Sequence, residues 1–552
     1  MTKIKIQLNN GKEVYVQKGI EFYSLLKDDY YLDELPLVLA KLNDEYYELT
    51  APIEEDGVLE DVRIDCIMGM KTYIRTLQFV LIKAVLDIFP DSKITIEHAI
   101  SKGIFGEIHK ETALDEEEVK LIKNRMDEII RKDLKIKKVS MSRLKAIEIF
   151  ASYGMDDKVK LLKYVKSDEI KLYELDGRYD YFYGSMGYST GILKYFELKY
   201  NEPGFIIRYP DASNPKVIPK FIEQPKLNEI FYETENWLNI LEVPNLGFLN
   251  EKIENGDIGD VIRVSEALHE KKIANIADMV NEKNEVKIVL IAGPSSSGKT
   301  TFAKRLGIQL RVNGLIPIPI SLDDYFIDRN KTPLDENGKP DFESINALDL
   351  DLFNEHLSKL LKGKYVEIPI YNFITGKREW KNNIIRLPQN GVLIIEGIHG
   401  LNDKLTSSIP AYNKFKIYIS ALTQLNVDNH NRIATTDVRK IRRIVRDSLS
   451  RGYDAEDTLR MWPDIKKGEE KNIFVYQEQA DVMFNSTLVY ELAILKKYAI
   501  KELSKIKKTS DVYYEALRLK SFLNLFEEVN KDMVPENSIL REFIGGSCFY
   551  KY

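Results

Sequence analysis

One stretch restricts the fold of this chain more than any other: Val286-Lys-Ile-Val-Leu-Ile-Ala-Gly293-Pro-Ser-Ser-Ser-Gly298-Lys-Thr-Thr301. The apolar, β-branched run from Val286 to Ala292 has the length and composition of a buried parallel strand. Gly293-Pro294-Ser295-Ser296-Ser297-Gly298-Lys299-Thr300 satisfies G-x-x-x-x-G-K-[ST], with Thr301 next in line. Phe302, Leu306 and Leu310 then recur every fourth residue, as on one face of a helix. Strand, glycine-bounded loop and helix in this order are the setting of a phosphate-binding loop, and they require an α/β architecture around a parallel sheet.

The chemistry follows from backbone geometry. Gly293 and Gly298 allow torsions that side chains forbid, so consecutive N–H groups can turn inward around phosphate oxygens. The helix that follows adds its positive N-terminal end. Lys299 supplies a mobile cation for the β- and γ-phosphates, and the Thr300 hydroxyl is a ligand for Mg²⁺.

Bulk composition narrows the class. At 552 residues the chain has room for roughly three or four domains of about 150 residues. Hydrophobic content of 44% and charged content of 30% are those of an ordinary globular protein. No apolar run approaches the roughly 20 residues that span a bilayer; Leu77 to Phe89 is interrupted by Lys83 and Asp87. The start, Met-Thr-Lys-Ile-Lys-Ile, lacks the apolar core of a signal peptide, and two cysteines, Cys66 and Cys548, make neither a disulfide framework nor a thiolate zinc site. A cytoplasmic protein with no membrane partner is expected. The net charge of −6 argues against broad nucleic-acid binding and leaves room for a local basic patch. The oligomeric state is open.

Residues 1–65 read as a small β-rich module. Ile4, Ile6 and Leu8 alternate, Asn9-Asn10-Gly11 makes a turn, and Val14 and Val16 resume the alternation. A short helix from Phe22 and strands around Leu37–Leu42 and Val62–Cys66 complete a β-β-α-β-β order. That order resembles the ubiquitin-like TGS module at the front of threonyl-tRNA synthetases.

In residues 66–210, Met70–Phe89 is a long helical stretch closed by Pro90. Ile94–His98 and Gly103–Gly106 follow, then a charged amphipathic helix over 115–134 that opens on Asp115-Glu-Glu-Glu. With Leu172-Tyr-Glu-Leu and Gly184-Ser-Met-Gly-Tyr-Ser-Thr-Gly191, the order resembles the second additional domain of threonyl-tRNA synthetase, shared with alanyl-tRNA editing proteins. That family carries His-x-x-x-His and Cys-x-x-x-His pairs. The aligned positions here hold Arg75 and Phe79, then Phe182 and Met186, none of them an ordinary zinc ligand. His98 and His109 stand at no useful ligand spacing. The resemblance therefore implies a module without editing chemistry, kept for architecture or binding, with contact to tRNA or RNA left open. The basic run from Arg131 to Lys145 is expected to be a solvated helix face rather than a binding patch. Residues 211–284 read as a proline-bearing linker and helices, notably Ile258–Met279.

Residues 285–500 carry the rest of the chemistry. Ile316–Leu322 reads as a strand beside the phosphate-loop strand, ending in Asp323-Asp324. Carboxylates there sit where parallel sheets bind ligands, and one of them can take a proton from an attacking hydroxyl or hold Mg²⁺ through water. A helix N-cap accounts for one aspartate but not for the pair. Gly391-Val-Leu-Ile-Ile-Glu396 is another buried strand ending in a carboxylate, suited to Mg²⁺ opposite Thr300. Arg439, Arg442, Arg443 and Arg446 fall on neighbouring turns of one helix. They read as a surface helix that closes as a lid over phosphoryl groups, with salt bridges to Asp437 and Asp447 as the plainer alternative.

Five stretches in order resemble the uridine kinase/phosphoribulokinase family: Gly293–Thr301, Leu322–Phe326, Phe342–Asp349, Tyr371–Arg378, and Glu396-Gly-Ile-His with the arginine helix. The resemblance implies ATP and Mg²⁺ as cofactors and a nucleoside or related small molecule as acceptor. It makes Asp323 the general base, with Lys299, Arg439 and Arg442 beside it in catalysis. Thr300, Glu396 and Asp323 take the metal; the loop residues with Arg443 and Arg446 take the nucleotide; Asp349, Tyr371 and Arg378 take the acceptor. Two positions depart from the uridine–cytidine kinases: Gly376 stands for the histidine that reads the pyrimidine, and Leu348 for a phenylalanine before the ribose aspartate. His399 is expected to pack rather than react. A kinase acting on a phosphorylated sugar or another alcohol is one alternative, and a nucleotide-switched RNA-binding regulator is the other. Residues 501–552 are expected to be helical, then to dock on the core through the apolar spacing of Ser538–Ser547.

Overall fold

The computed structural model describes residues 3–9, 11–30, 35–335, 338–372, 375–423 and 425–549, without the side chains of 28–30. Asn10 of the expected first turn and Phe373 and Ile374 of the expected acceptor segment lie outside these residues. Among the described residues no helix is long and apolar enough to cross a membrane.

The chain divides into two compact units. The first comprises Met1–Gln224, Asn245–Phe248 and Gln424–Arg432; the second comprises Pro225–Pro244, Leu249–Thr423 and Ile433–Tyr552. A short hairpin, Asn426–Asp428 with Asn431–Arg432, therefore belongs to the first unit although its sequence neighbours belong to the second.

In the first unit a mixed five-stranded sheet runs Glu13–Gln17, Lys3–Leu8, Gly57–Arg63, Leu37–Leu42, Glu45–Glu48. The pairing of Lys3–Leu8 with Gly57–Arg63 is parallel and the others are antiparallel. The alternation of Ile4 and Ile6 puts both in the core. The strand expected over Val62–Cys66 is displaced: it ends at Arg63, and the Cys66 sulfur instead caps helix Ile67–Ile88 by accepting from the Gly69 N–H at 3.4 Å. A Cβ at Gly69 would collide with the Arg63 carbonyl, so the close turn requires glycine. Helix Glu116–Arg131 starts in a capping box, with Asp115 and Glu118 bonding each other's backbone N–H. The expected boundary at 65/66 is not a break in packing. One hydrophobic cluster runs from Ile4 through Leu77 and Ile122 to Ile207.

The second unit is built on a five-stranded parallel sheet in the order Ile316–Ser321, Gly391–Glu396, Ile288–Ala292, Lys414–Ser420, Val482–Asn485. Every residue of Ile288–Ala292 is buried, as its unbroken apolar run requires at the centre of a sheet covered on both faces. Pro317 and Pro319 lie in Ile316–Ser321, which takes the edge, where a missing N–H breaks no second ladder. That strand is not beside the loop strand as expected, because Gly391–Glu396 lies between them. Phe302, Leu306 and Leu310 of helix Lys299–Val312 are all fully buried. The helices expected after the proline-bearing linker are Pro225–Leu241, Leu246–Glu254 and Ile258–Glu282, and the last pairs its Glu270 with Arg305 of the loop helix at 2.6 Å. The limit expected at 500 falls inside helix Glu491–Leu503.

Candidate functional site

Strand register assembles the site. Ser321 is opposite Glu396, and Glu396 is opposite Ile291, so three parallel strands end in one row. The row leads directly into the loop after Ala292, into Asp323 two residues past Ser321, and into Glu396 itself. Ser321 Oγ donates to Glu396 Oε1 at 3.1 Å and orients that carboxylate. Burial, and then the negative Asp323, push the Glu396 carboxyl up to about 7. Burial lowers the Lys299 ammonium, against the carboxylates of Glu396, Asp323, Glu542 and Glu469. Like charges gathered in a desolvated pocket are costly unless a ligand balances them.

The loop itself is formed for a ligand. Gly298 is left-handed (φ 85°) and so is Ser296 (φ 60°). A Cβ on Gly293 would collide with the Ile419 carbonyl. The hydroxyls of Ser296 and Ser297 are buried with no hydrogen-bond partner. Lys299 Nζ folds back to donate to the carbonyls of Gly293 (2.9 Å) and Pro294 (3.1 Å). Orphaned donors around a glycine-bounded loop at a helix N-terminus fit phosphate oxygens. Thr300, Glu396 and Asp323 offer a set of oxygen donors suited to Mg²⁺. Among the described residues no group of three or more His, Cys, Asp or Glu side chains is placed to hold a metal ion.

The arginine helix, Thr435–Arg446, is not the surface helix expected. Arg439, Arg442 and Arg446 are buried, and Val438, Ile441 and Ile444 fill the same packing layer. Its charges are matched from distant sequence: Arg439 pairs with Glu469, and Arg442 with Glu491. Both also hold the loop backbone, Arg439 Nε donating to the Ser295 carbonyl at 3.0 Å and Arg442 to that of Ser296 at 3.3 Å. Arg443 donates to Ser295 Oγ at 2.6 Å. The plainer alternative also has a part, since buried Asp447 pairs with Arg443 (3.0 Å) and Arg446 (2.9 Å). Arg451 stands 3.9 Å from the same carboxylate, at the end of a single π turn over Asp447–Arg451. Three guanidiniums thus share one carboxylate, and one of them, Arg443, is the group that reaches the loop at Ser295.

The expected acceptor residues form a second, adjoining group. Asp349 caps helix Leu350–Leu361 through the Leu352 N–H (3.1 Å), and its other oxygen accepts twice from Arg378 at 2.9 Å. Buried Tyr371 stacks obliquely on Phe326 at 5.6 Å, and its N–H donates to Asp324 at 3.2 Å. The aspartate pair is thereby divided: Asp324 holds this strand, and Asp323 stays with the loop charges. Gly376 is left-handed (φ 66°), and a Cβ there would be 2.8 Å from Arg329. The turn thus disfavours a side chain at the position where the uridine–cytidine kinase resemblance expects a histidine. Leu348 lies in the core beside Tyr325 and Phe353.

Three carboxylates of the site were not expected from the sequence. Glu343 is pushed up to about 7 by burial and by Glu469. Glu469 accepts from the Ser295 N–H at 2.8 Å, and Glu542 accepts from Thr301. Only Glu343 had a nearby signal, its place inside Phe342–Asp349. His399 is buried and held neutral, lowered to about 4 by desolvation, in keeping with a packing role. In the first unit, Phe79 meets Phe182 at 5.1 Å and Arg75 donates to the Ser185 carbonyl at 2.5 Å, so three of the four positions expected to lack zinc ligands are engaged in packing and hydrogen bonding.

Comparison with known proteins agrees with this geometry. The phosphoribulokinase / uridine kinase family profile matches residues 288–493. Uridine kinase of Vibrio vulnificus is 31% identical over 185 residues, 33% of this chain and 78% of that protein. Uridine kinase of Anoxybacillus flavithermus is 29% identical over 178 residues, 32% of this chain and 75% of that protein. Threonine–tRNA ligase of Caldanaerobacter subterraneus is 31% identical over 196 residues, 35% of this chain but only 30% of the ligase.

Proposed function

The chain belongs to the phosphoribulokinase/uridine kinase family, and from that membership we propose an ATP- and Mg²⁺-dependent kinase that phosphorylates the 5′-hydroxyl of a nucleoside. The observation that carries this reading is the single row of strand ends that puts the phosphate loop, Glu396 and Asp323 at one sheet edge. Asp323 orients the acceptor hydroxyl and takes its proton. Lys299 and the surplus arginine charge at Arg443, Arg446 and Arg451 stabilise negative charge on the transferring group. Thr300, Glu396 and Asp323 would hold Mg²⁺, which neutralises phosphate charge when bound. Asp349, Tyr371 and Arg378 shape the acceptor side, and binding there supplies most of the positioning. Glycine in place of histidine at Gly376 favours one second reading, a phosphorylated sugar or other small alcohol as acceptor.

The proposal extends to the front of the chain. Residues 1–65 serve as a TGS-type module and 66–210 as an editing-type domain without metal chemistry, in a cytoplasmic protein. The likeness to a threonine–tRNA ligase over 196 residues supports that reading and makes tRNA the partner to try. A tRNA gel shift at physiological salt tests it, and no shift would count against it.

The kinase reading is tested by ADP release from Mg-ATP with a panel of nucleosides and sugar phosphates. Acceptor-dependent turnover that disappears in Lys299→Ala is expected, and the active acceptor names the class. Turnover that persists in Lys299→Ala, or none with any acceptor, would sink the proposal.

A further inference from the structure

The last segment of the chain lies on the phosphate loop. Ser538, Ile539, Leu540, Arg541, Glu542, Phe543 and Ile544 are all buried. Thr301 donates to Glu542 Oε2 twice, from its N–H at 3.2 Å and from its hydroxyl at 2.8 Å. That N–H belongs to the first turn of helix Lys299–Val312, one of the orphan donors that a P-loop offers to phosphate. Ile539 packs against Gly298, so that any side chain there would strike it. The ring of Phe543 lies 5.0 Å from the Arg442 guanidinium. The segment leaves through two left-handed glycines, Gly545 (φ 78°) and Gly546 (φ 73°).

We infer that this segment is a built-in competitor of the nucleotide: the Glu542 carboxylate stands where a phosphate oxygen would bind, and nucleotide must displace it. The inference rests on the phosphate-loop reading above and adds regulation to it. A carboxylate is the natural stand-in for phosphate at a helix N-terminus, since both accept backbone hydrogen bonds and both are favoured by the helix dipole. Glu469 repeats the substitution at the Ser295 N–H. Glu469, however, is tied to Arg439 from within helix Ala455–Asn472, whereas Glu542 sits on a terminal helix of one turn, Arg541–Ile544. Displacing Glu542 would leave the Arg439–Glu469 pair in place. Within the segment, Arg541 donates to the carbonyls of Val534 (2.6 Å) and Gly545 (3.3 Å). Anything that drew the segment away would open the loop.

The test is nucleotide affinity of the full chain by calorimetry, with hydrogen exchange of residues 535–547. Glu542→Gln should tighten Mg-ATP binding about tenfold or more, and Ile539→Ala should tighten it by a smaller factor without changing charge. Mg-ATP and tripolyphosphate alone should each raise exchange in 535–547. Unchanged affinity in both variants, or exchange that stays constant or falls on binding, would overturn the competitor while leaving the kinase intact. Exchange raised by Mg-ATP but not by tripolyphosphate would also overturn it, since the exchange would not be of carboxylate for phosphate. If neither the wild type nor the variants bind Mg-ATP, and Lys299→Ala is no different, the phosphate-loop reading itself fails and the competitor falls with it.

Discussion

In the first unit, Lys158 lies between Asp180 (3.0 Å) and Asp428 (2.8 Å), and His430 takes the other oxygen of Asp180 at 2.7 Å. Asn431 and the His430 N–H complete the bonding of Asp428. At the phosphate loop of the second unit, Lys299 is faced by Glu396, Asp323, Glu542 and Glu469, the last already paired with Arg439, and two serine hydroxyls have no partner. Both groups are withdrawn from water, yet their charges respond in opposite ways. Burial would raise Asp180, but His430 and Lys158 overcome it and hold the carboxyl well below its usual range. Burial likewise opposes the charge of Lys158, and its two aspartates more than restore it. At the loop, burial prevails: Glu343 and Glu396 move up and Lys299 moves down. A closed network is complete without a ligand and holds structure; an incomplete one stores unfavourable charge that a ligand relieves.

That contrast can be broken by substitution. On the proposed role, Asp323→Asn should lower kcat by about 10²–10⁴-fold, as loss of a general base does, and weaken the binding of the Mg²⁺ that it would share with Thr300 and Glu396, with melting temperature nearly unchanged. A fall in stability as large as the fall in rate would make Asp323 a structural residue like Asp180. Conversely, Asp180→Asn should destabilise the first unit by about 3–5 kcal/mol, because it leaves Lys158 buried with half its partners. The three tryptophans, Trp237, Trp380 and Trp462, all lie in the second unit. The lost stability should therefore appear in a circular-dichroism transition that tryptophan fluorescence does not follow.

pH sharpens the comparison, since the two groups have opposite signs. Glu343 binds its proton up to about 7 in the folded chain, against an ordinary 4.5. Between those values the folded state holds more protons than the unfolded, so the second unit should lose stability as pH rises from about 4.5 to 7. Asp180 is depressed, so its contribution is present above its ordinary 3.8 and is lost only as pH falls further into acid. Urea titrations followed by tryptophan fluorescence at pH 5 and 7.5 should show the decline, and Glu343→Gln should reduce it, leaving the part that Glu396 contributes. A decline unchanged in that variant would point to another group. The smallest effect is local: Gly376→Ala should cost about 1–2 kcal/mol, from its left-handed backbone, and more if Arg329 cannot move.

Features with a short period were legible in the chain. The strand Ile288–Ala292, the glycine-bounded loop and the buried face Phe302–Leu306–Leu310 each rest on residues close in sequence. Asp115 as a helix start was legible for the same reason, because a cap reads only its own first turn. The arginine helix was misjudged because helical spacing tells which side chains share a face and nothing of what meets that face. Its partners Glu469 and Glu491 come from later helices. Likewise, the composition of Ile316–Ser321 marked a strand, but only pairing showed Gly391–Glu396 between it and the loop.

The sequence by itself determined the chemical parts: a glycine-bounded loop of the phosphate-binding pattern, carboxylates at strand ends, a cluster of arginines, and four positions, Arg75, Phe79, Phe182 and Met186, that hold no ordinary zinc ligand. Those depend on residue identity and local spacing, which survive without coordinates. Tertiary structure alone decided which charges are cancelled and which are left over. It buried Arg439 and Arg442 against glutamates, divided Asp323 from Asp324, and brought Glu542 from the end of the chain onto Thr301. The physical reason is that burial and Coulomb energies depend on distance in space, and folding joins residues hundreds of positions apart.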